Sequence, residues 1–151
     1  MPVIVPDYHL GVVVSDLHRA MAELTDLLGL RWLPPVRSGH QVTGDGPPHT
    51  GPMLTMSRQG PPYLELLELT PGTVWSEPGL HHLGFWAHDV RAESARMTAA
   101  GFPLEAEAVV LAGDTEPGVC YHRTSDGLRL ELVEMSRGGP ALAHYLNAIT
   151  D

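Results

Sequence analysis

Lysine is absent from this 151-residue chain, cysteine occurs once, and no apolar run approaches the length of a membrane span. Each absence closes a class of chemistry. Without lysine there is no lysine Schiff base and no phosphate-loop lysine. The lone thiol, Cys120, cannot form an internal disulfide and suits a reducing compartment. A helical span needs roughly 18–20 consecutive apolar residues, which the chain does not supply. The nine basic residues are all arginine and face eighteen acids, for a formal net charge of −9. Nucleic acid and anionic membranes are therefore poor partners. The segment Met1–Asp7 lacks the basic-then-apolar order of a secretory leader, so a cytoplasmic protein is expected. No dinucleotide fingerprint, nucleophile elbow or Cys-x-x-Cys pair occurs, and Gly44-Asp45-Gly46-Pro47 reads as a turn.

What the chain does contain is a repeat. His9-Leu10-Gly11, followed by an apolar run and Ser15-Asp16-Leu17, returns as His82-Leu83-Gly84, followed by His88-Asp89-Val90. Tyr63-Leu64-Glu65-Leu66-Leu67-Glu68 returns as Arg129-Leu130-Glu131-Leu132-Val133-Glu134. Each half contributes one histidine early and one glutamate late, both on apolar strand-like segments. Two imidazoles and two carboxylates related by pseudo-symmetry form a donor set suited to a first-row divalent ion.

Periodicity gives each half the same order of elements. Residues 8–14 read as a buried strand, Asp16 as an N-cap, and 17–28 as an amphipathic helix stopped by Gly29. Strands follow near 30–33, 52–58 and 62–69, with a Gly/Pro/His-rich loop from Ser38 to Pro52. The second half predicts a strand over 81–88, a cap at Asp89, a helix ending at Gly101, and strands near 104–110, 118–124 and 127–135. The class is α+β, one domain over residues 1–151. It comprises two βαβββ modules at about 8–70 and 81–135 and a helical tail at about 139–149 on the outside or on a partner subunit.

Alternation along strands sorts the faces. Leu128, Leu130 and Leu132 share the helix-covered face, so Glu131 points the other way with Arg129 and Val133. Glu65 goes with Tyr63 and Leu67, His9 with Gly11 and Val13, and His82 with Gly84 and Trp86. By the same rule Tyr8 and His81 point away from the neighbouring histidines, so His81 reads as a structural residue or a support behind a ligand rather than as a ligand itself. Glu68 and Glu134 are solvated or partner helix ends. A carboxylate buried on a strand without a partner is costly, which favours a metal or base role for Glu65 and Glu131.

The paired His-Leu-Gly, strand, Asp, helix units, each closed by Glu-Leu-Leu-Glu or Glu-Leu-Val-Glu, resemble the vicinal oxygen chelate superfamily. That group includes glyoxalase I, methylmalonyl-CoA epimerase, extradiol dioxygenases and the bleomycin- and fosfomycin-resistance proteins. The resemblance covers about residues 8–135. It implies a curled mixed sheet with a central cleft and one divalent ion (Ni, Co, Zn, Mn or Mg) on His9, Glu65, His82 and Glu131. It further implies a small-molecule substrate and a homodimer, with the cleft in some relatives formed between subunits. Glu131 is the implied base and Glu65 its pseudo-symmetric partner. The expected activity is that of an isomerase, epimerase or lyase moving a proton alpha to a carbonyl. The alternative is a non-catalytic binder sequestering an antibiotic or other aromatic product. An extradiol-type dioxygenase ranks third, because a fourth protein ligand at Glu65 crowds its iron. Trp86, Tyr121, Arg129, Met53, Met56 and Leu67 are the candidate substrate contacts. No glutathione or CoA cluster is recognisable, and Arg37, Arg58, Arg123 and Arg129 are the candidate anion contacts. His40, His49 and His122 are accessory candidates for proton transfer.

Overall fold

The fold is given by a computed structural model, which describes residues 4–38, 41–43, 49–109 and 114–147. The first half runs β1 (Ile4–Val14), α1 (Leu17–Leu28), β2 (Val36–Arg37), β3 (Gln41–Thr43), β4 (His49–Thr50), β5 (Met53–Met56) and β6 (Tyr63–Glu68). The second runs β7 (Gly79–Ala87), α2 (Val90–Ala99), β8 (Leu104–Ala108), β9 (Val119–Arg123) and β10 (Arg129–Glu134), followed by α3 (Met135–Asn147). The helix boundaries follow from side-chain chemistry. Asp16 accepts the Arg19 N–H at 3.0 Å and Asp89 the Ala92 N–H at 2.9 Å, relieving orphan donors of the first turns. Glu134 also accepts the Val90 N–H at 2.9 Å, so it is a helix-end partner, tying the last strand to α2. Gly29 ends α1 in the left-handed region, at φ 70°.

All ten strands lie in one sheet, ordered β2-β5-β6-β1-β7-β10-β9-β8-β3-β4. Within each half the first strand pairs parallel with the last, β1 with β6 and β7 with β10, and the two halves join through antiparallel β1 and β7. The segment expected as a loop from Ser38 to Pro52 instead carries β3 and β4. These strands add to the far edge of the sheet, against β8. Arg37 sits in the edge strand β2 and Gln41 in β3, one strand in from the opposite edge, and four residues reach at most about 14 Å. The two ends of the sheet are therefore drawn toward each other, and the sheet is a curled half-barrel. The C-terminal helix begins a few residues earlier than expected, at Met135, and Leu142 packs against the cluster of Tyr8, Leu33, Met56 and Val133.

The central pair carries the main steric constraint. Leu10 faces Leu83 across the pseudo-twofold axis, and on either side His9 faces Gly84 and Gly11 faces His82. A Cβ on Gly84 would fall 2.3 Å from the His9 ring, and one on Gly11 would fall 2.1 Å from the His82 ring. Each imidazole thus lies across the partner strand in space that only glycine leaves open. In the next strands Gly11 pairs with Glu65 and Gly84 with Glu131. The sheet accordingly carries two rungs, each ordered Glu, Gly, His. Over-packing a core typically costs about 1–3 kcal/mol, and here the clash is with a ring wedged between strands. Gly84→Ala is expected to lose at least that much in urea unfolding. Gly139→Ala in α3, where a Cβ meets nothing within 4 Å, should be neutral or stabilising.

Candidate metal centre

His9, Glu65, His82 and Glu131, all buried, bring one ligand atom each to within 4.8 Å of one another. The two Nε2 atoms are 2.8 Å apart. Glu131 offers Oε1 to His9 at 3.2 Å and Oε2 to His82 at 3.3 Å, while Glu65 offers Oε1 to both, at 3.7 and 3.5 Å. Ligand bonds of about 2.1 Å to a first-row divalent ion put neighbouring donors about 3.0 Å apart in an octahedron and about 3.4 Å apart in a tetrahedron. The observed spacings are of that size, so the residues fit such an ion. All four donors come from a single chain, with two from each half.

His81 determines the tautomer of His82. Its Nε2 lies 2.8 Å from the Val74 carbonyl, which can only accept, so Nε2 carries the proton. Burial, then the neighbouring His82 and Arg129, push the His81 pKa down to about 4, so the ring is neutral and Nδ1 bears a lone pair. That lone pair accepts from His82 Nδ1 at 2.8 Å, so in the neutral tautomer of His82 it is Nε2 that is bare and aimed at the cluster. Among the described residues His9 has no equivalent support: its Nδ1 is buried without a hydrogen-bond partner there. At the position related to His81 stands Tyr8, which packs edge-on against His9 with ring centroids 4.1 Å apart.

The expectation that Tyr8 and His81 point away from the histidines beside them is corrected by two register shifts. The β1–β7 ladder slips between Val5 and His9 and between Gly11 and Val12. An irregular ladder breaks strict alternation and lets consecutive side chains share a face. Arg129 stabilises the second irregularity: its guanidinium donates to the His81 carbonyl and pairs with Glu105.

Charge in the cluster is tightly coupled. Burial would raise the Glu131 pKa, but the two imidazoles and a Tyr121 hydrogen bond outweigh it and hold the carboxyl near 2. Burial would lower the His9 pKa, but Glu65 and Glu131 outweigh it and the net shift is upward. Burial, with the two carboxylates, raises the Tyr8 and Tyr121 phenols well above 10. Cys120 is raised by burial to about 11 and is no nucleophile at neutral pH.

Glu65 and Glu131 stand in the wall of a cavity of about 220 Å³. Among the candidate contacts, Met56, Leu67 and Tyr121 line it, whereas Met53, Trp86 and Arg129 do not. Met53 and Met56 have opposite parity and cannot both face inward; Leu54 takes the inward place. Trp86 stacks on Tyr8, with ring centroids 3.8 Å apart, and packs behind it against Gly138. Arg129 is spent on Glu105 and His81.

Of the accessory histidines, His122 is fully buried between Ser94 and the Phe102 carbonyl and joins β9 to α2. His49 packs near Trp75, and His40 lies outside the described residues. Periodicity overlooked Trp75, Tyr8, Glu107 and Leu142 as cavity residues. The one available signal was a tryptophan inside a Thr-Pro-Gly-Thr loop, where burial is the usual reason for so large a side chain.

No curated protein sequence matches the chain. Solved structures do. Methylmalonyl-CoA epimerase from Mycobacterium tuberculosis has 18% identity and a TM-score of 0.59 over 88% of this chain and 89% of that one. A variant of Streptomyces coelicolor methylmalonyl-CoA epimerase in complex with 2-nitronate-propionyl-CoA has 19% identity and a TM-score of 0.59 over 86% and 94%. A hypothetical protein from Bacillus halodurans has 16% identity and a TM-score of 0.60 over 84% and 91%. At these identities the likeness establishes the glyoxalase-like α+β fold alone. A family model matches residues 8–121, three quarters of the sequence, and on that match the chain belongs to the glyoxalase/bleomycin resistance protein/dioxygenase superfamily.

Proposed function

We propose that this protein is a metal-dependent isomerase, epimerase or lyase that moves a proton alpha to a carbonyl of a small oxygenated substrate. One observation carries the reading: two imidazoles and two carboxylates converge at donor spacing, with both carboxylates in the wall of a cavity. His9, Glu65, His82 and Glu131 are the proposed ligands of one divalent ion (Ni, Co, Zn, Mn or Mg). Such an ion supplies Lewis acidity toward two adjacent substrate oxygens when bound. The chain's own groups do the rest. Glu131 is the proposed base: it takes the alpha proton and, as the resulting carboxylic acid, returns it to the product, with Glu65 its pseudo-symmetric partner on the other side of the substrate. Tyr121 hydrogen-bonds Glu131 and, being held as a phenol, steadies the carboxylate without competing for the proton. Leu54, Met56 and Leu67 keep bulk water from the reacting carbon. A cytoplasmic location and a homodimer belong to the same proposal. The four donors come from one chain, so no dimer is needed to complete the site.

The second reading is a binder that sequesters an aromatic compound, favoured by the apolar wall around Trp75 and Tyr121. Dioxygenase chemistry ranks below both, since four protein donors leave few positions for oxygen and a catecholate. Elemental mass spectrometry separates the readings. About one ion per chain is expected in the wild type, with loss in both Glu65→Ala and His82→Ala. The loaded protein should then exchange a carbon-bound alpha proton of a hydroxyketone into deuterated water. An absence of metal after reconstitution with Ni, Co or Zn leaves sequestration as the account.

The His81 relay generates its own test. His81→Ala should lower metal affinity by about 10- to 100-fold while leaving the fold intact, as loss of an outer-shell partner typically does. Titration by competition with a chromophoric chelator reads this directly.

The pKa shifts predict a pH signature. Because the folded pKa of His9 is raised, its stabilising charge is fully present below 6.5 and is lost as pH rises through the raised value. Because Glu131 is depressed, its contribution is present above 4.5 and is lost as pH falls toward about 2. Metal-free protein should therefore be most stable between about pH 4.5 and 6.5 and melt earlier in alkali. Added metal should reverse the alkaline loss, because it replaces the proton that pH removes. Differential scanning calorimetry with and without chelator measures both arms.

A further inference from the structure

A second cavity, of about 590 Å³, lies on the other side of His81, between the loop joining β6 to β7 and the first residues of β10. Its size falls within the roughly 300–1,000 Å³ of ordinary small-molecule sites. No described residue lines both this space and the cavity beside the carboxylates. Three rings stand between the two. His81 belongs to the wall of the second cavity, Trp75 and Tyr121 to that of the first. His81 stacks on Trp75 with centroids 6.2 Å apart and meets Tyr121 edge-on at 5.7 Å.

One rung of the sheet sets the chemistry of this space. Arg123 and Arg129 are register partners in the β9–β10 ladder, one same-face step beyond Tyr121 and Glu131. Two strand residues advance about 7 Å, so the guanidiniums form a charge cluster apart from the four donors. Like charges placed directly opposite in a ladder destabilise it. A single carboxylate offsets them: Glu105 accepts from Arg129 Nε through Oε1 and from Arg123 Nε through Oε2, both at 2.5 Å. Burial would raise the Glu105 pKa, but the two guanidiniums outweigh it and keep the group ionised. The trio still carries one positive charge in excess, in a chain of net charge −9.

Donors are left over as well. Arg129 gives Nη1 to the His81 carbonyl at 3.1 Å, but among the described residues its Nη2 and both Nη atoms of Arg123 meet no acceptor. Both side chains line the cavity. A guanidinium edge of this kind matches the two oxygens of a carboxylate or phosphate. With His81 neutral, the only other charged group among the described lining residues is Glu77, exposed in the β6–β7 loop. We propose that this cavity binds a small molecule through an oxyanion, a carboxylate or a phosphate, held by the open edge of Arg123 with Arg129 Nη2 beside it, and that Glu105 is the internal counter-ion against which the ligand competes. The wall of three rings makes it a site of its own, separate from the cleft, and it needs no metal.

Isothermal calorimetry on metal-stripped, desalted protein tests it with two probes, malonate and inorganic phosphate, at an ionic strength held constant with sodium chloride. At least one probe is expected to saturate at one per chain, with millimolar or tighter affinity. Saturation by phosphate alone points to a phosphorylated ligand and saturation by malonate alone to a carboxylate. Arg123→Gln should weaken binding by about tenfold or more, the loss of one charge-assisted hydrogen bond, while melting in chloride as the wild type does. Glu105→Gln removes the competing carboxylate and should tighten binding severalfold. That gain is the readout a purely structural trio would not give. Three outcomes would each overturn the proposal: no saturation by either probe at high millimolar concentration, unchanged affinity in Arg123→Gln, or unchanged or weaker binding in a folded Glu105→Gln. Should Glu105→Gln fail to fold, Arg123→Gln decides alone.

Discussion

Two glycines without Cβ atoms hold the centre of this structure together. Gly11 and Gly84 lie opposite His82 and His9 in the β1–β7 ladder, and each imidazole occupies the volume that a side chain on the partner strand would claim. The rings can therefore reach across the sheet, perpendicular to each other, with their Nε2 atoms 2.8 Å apart. The carboxylates then reach in from the flanking strands over the same glycines. The repeated His-Leu-Gly is thus a packing device before it is a ligand motif. The intervening leucine marks the pseudo-twofold axis, and the glycine makes room for the other half's histidine.

The two halves are symmetric in donors and asymmetric in support. His82 is backed by His81 and the Val74 carbonyl, a chain that fixes which nitrogen is bare. His9 is backed by Tyr8, which offers packing and no acceptor, so a buried nitrogen goes without a partner. A site built this way has one imidazole preset for a ligand role and one that still responds to charge around it. The upward shift of His9 under the influence of Glu65 and Glu131 expresses that difference.

Enclosure comes from parts of the chain that the repeat does not include. The hairpin strands β3 and β4 cross to the far edge of the sheet, and α3 folds back onto the cluster around Tyr8. Both fall outside the duplicated segments, and α3 lines the cavity beside the carboxylates through Gly138 and Leu142 without disturbing the donors. Seven of the nine arginines are held in ion pairs or carbonyl contacts, and none of the nine lines this cavity.

The local elements were legible in the residues. Caps at Asp16 and Asp89, the stop at Gly29 and the alternation of Leu130, Glu131 and Leu132 depend on neighbours a few positions away, and that chemistry is written in the order of the chain. The duplicated His and Glu also pointed to one donor set, because a repeat of strands implies a repeat of positions. What tertiary structure alone decided were register and closure. The slips in the β1–β7 ladder turned Tyr8 and His81 toward the histidines, against strict alternation, because a ladder irregularity depends on a strand dozens of residues away. The crossing of β3, the return of α3 and the diversion of Arg129 to Glu105 and His81 likewise depend on partners that only the folded chain brings near.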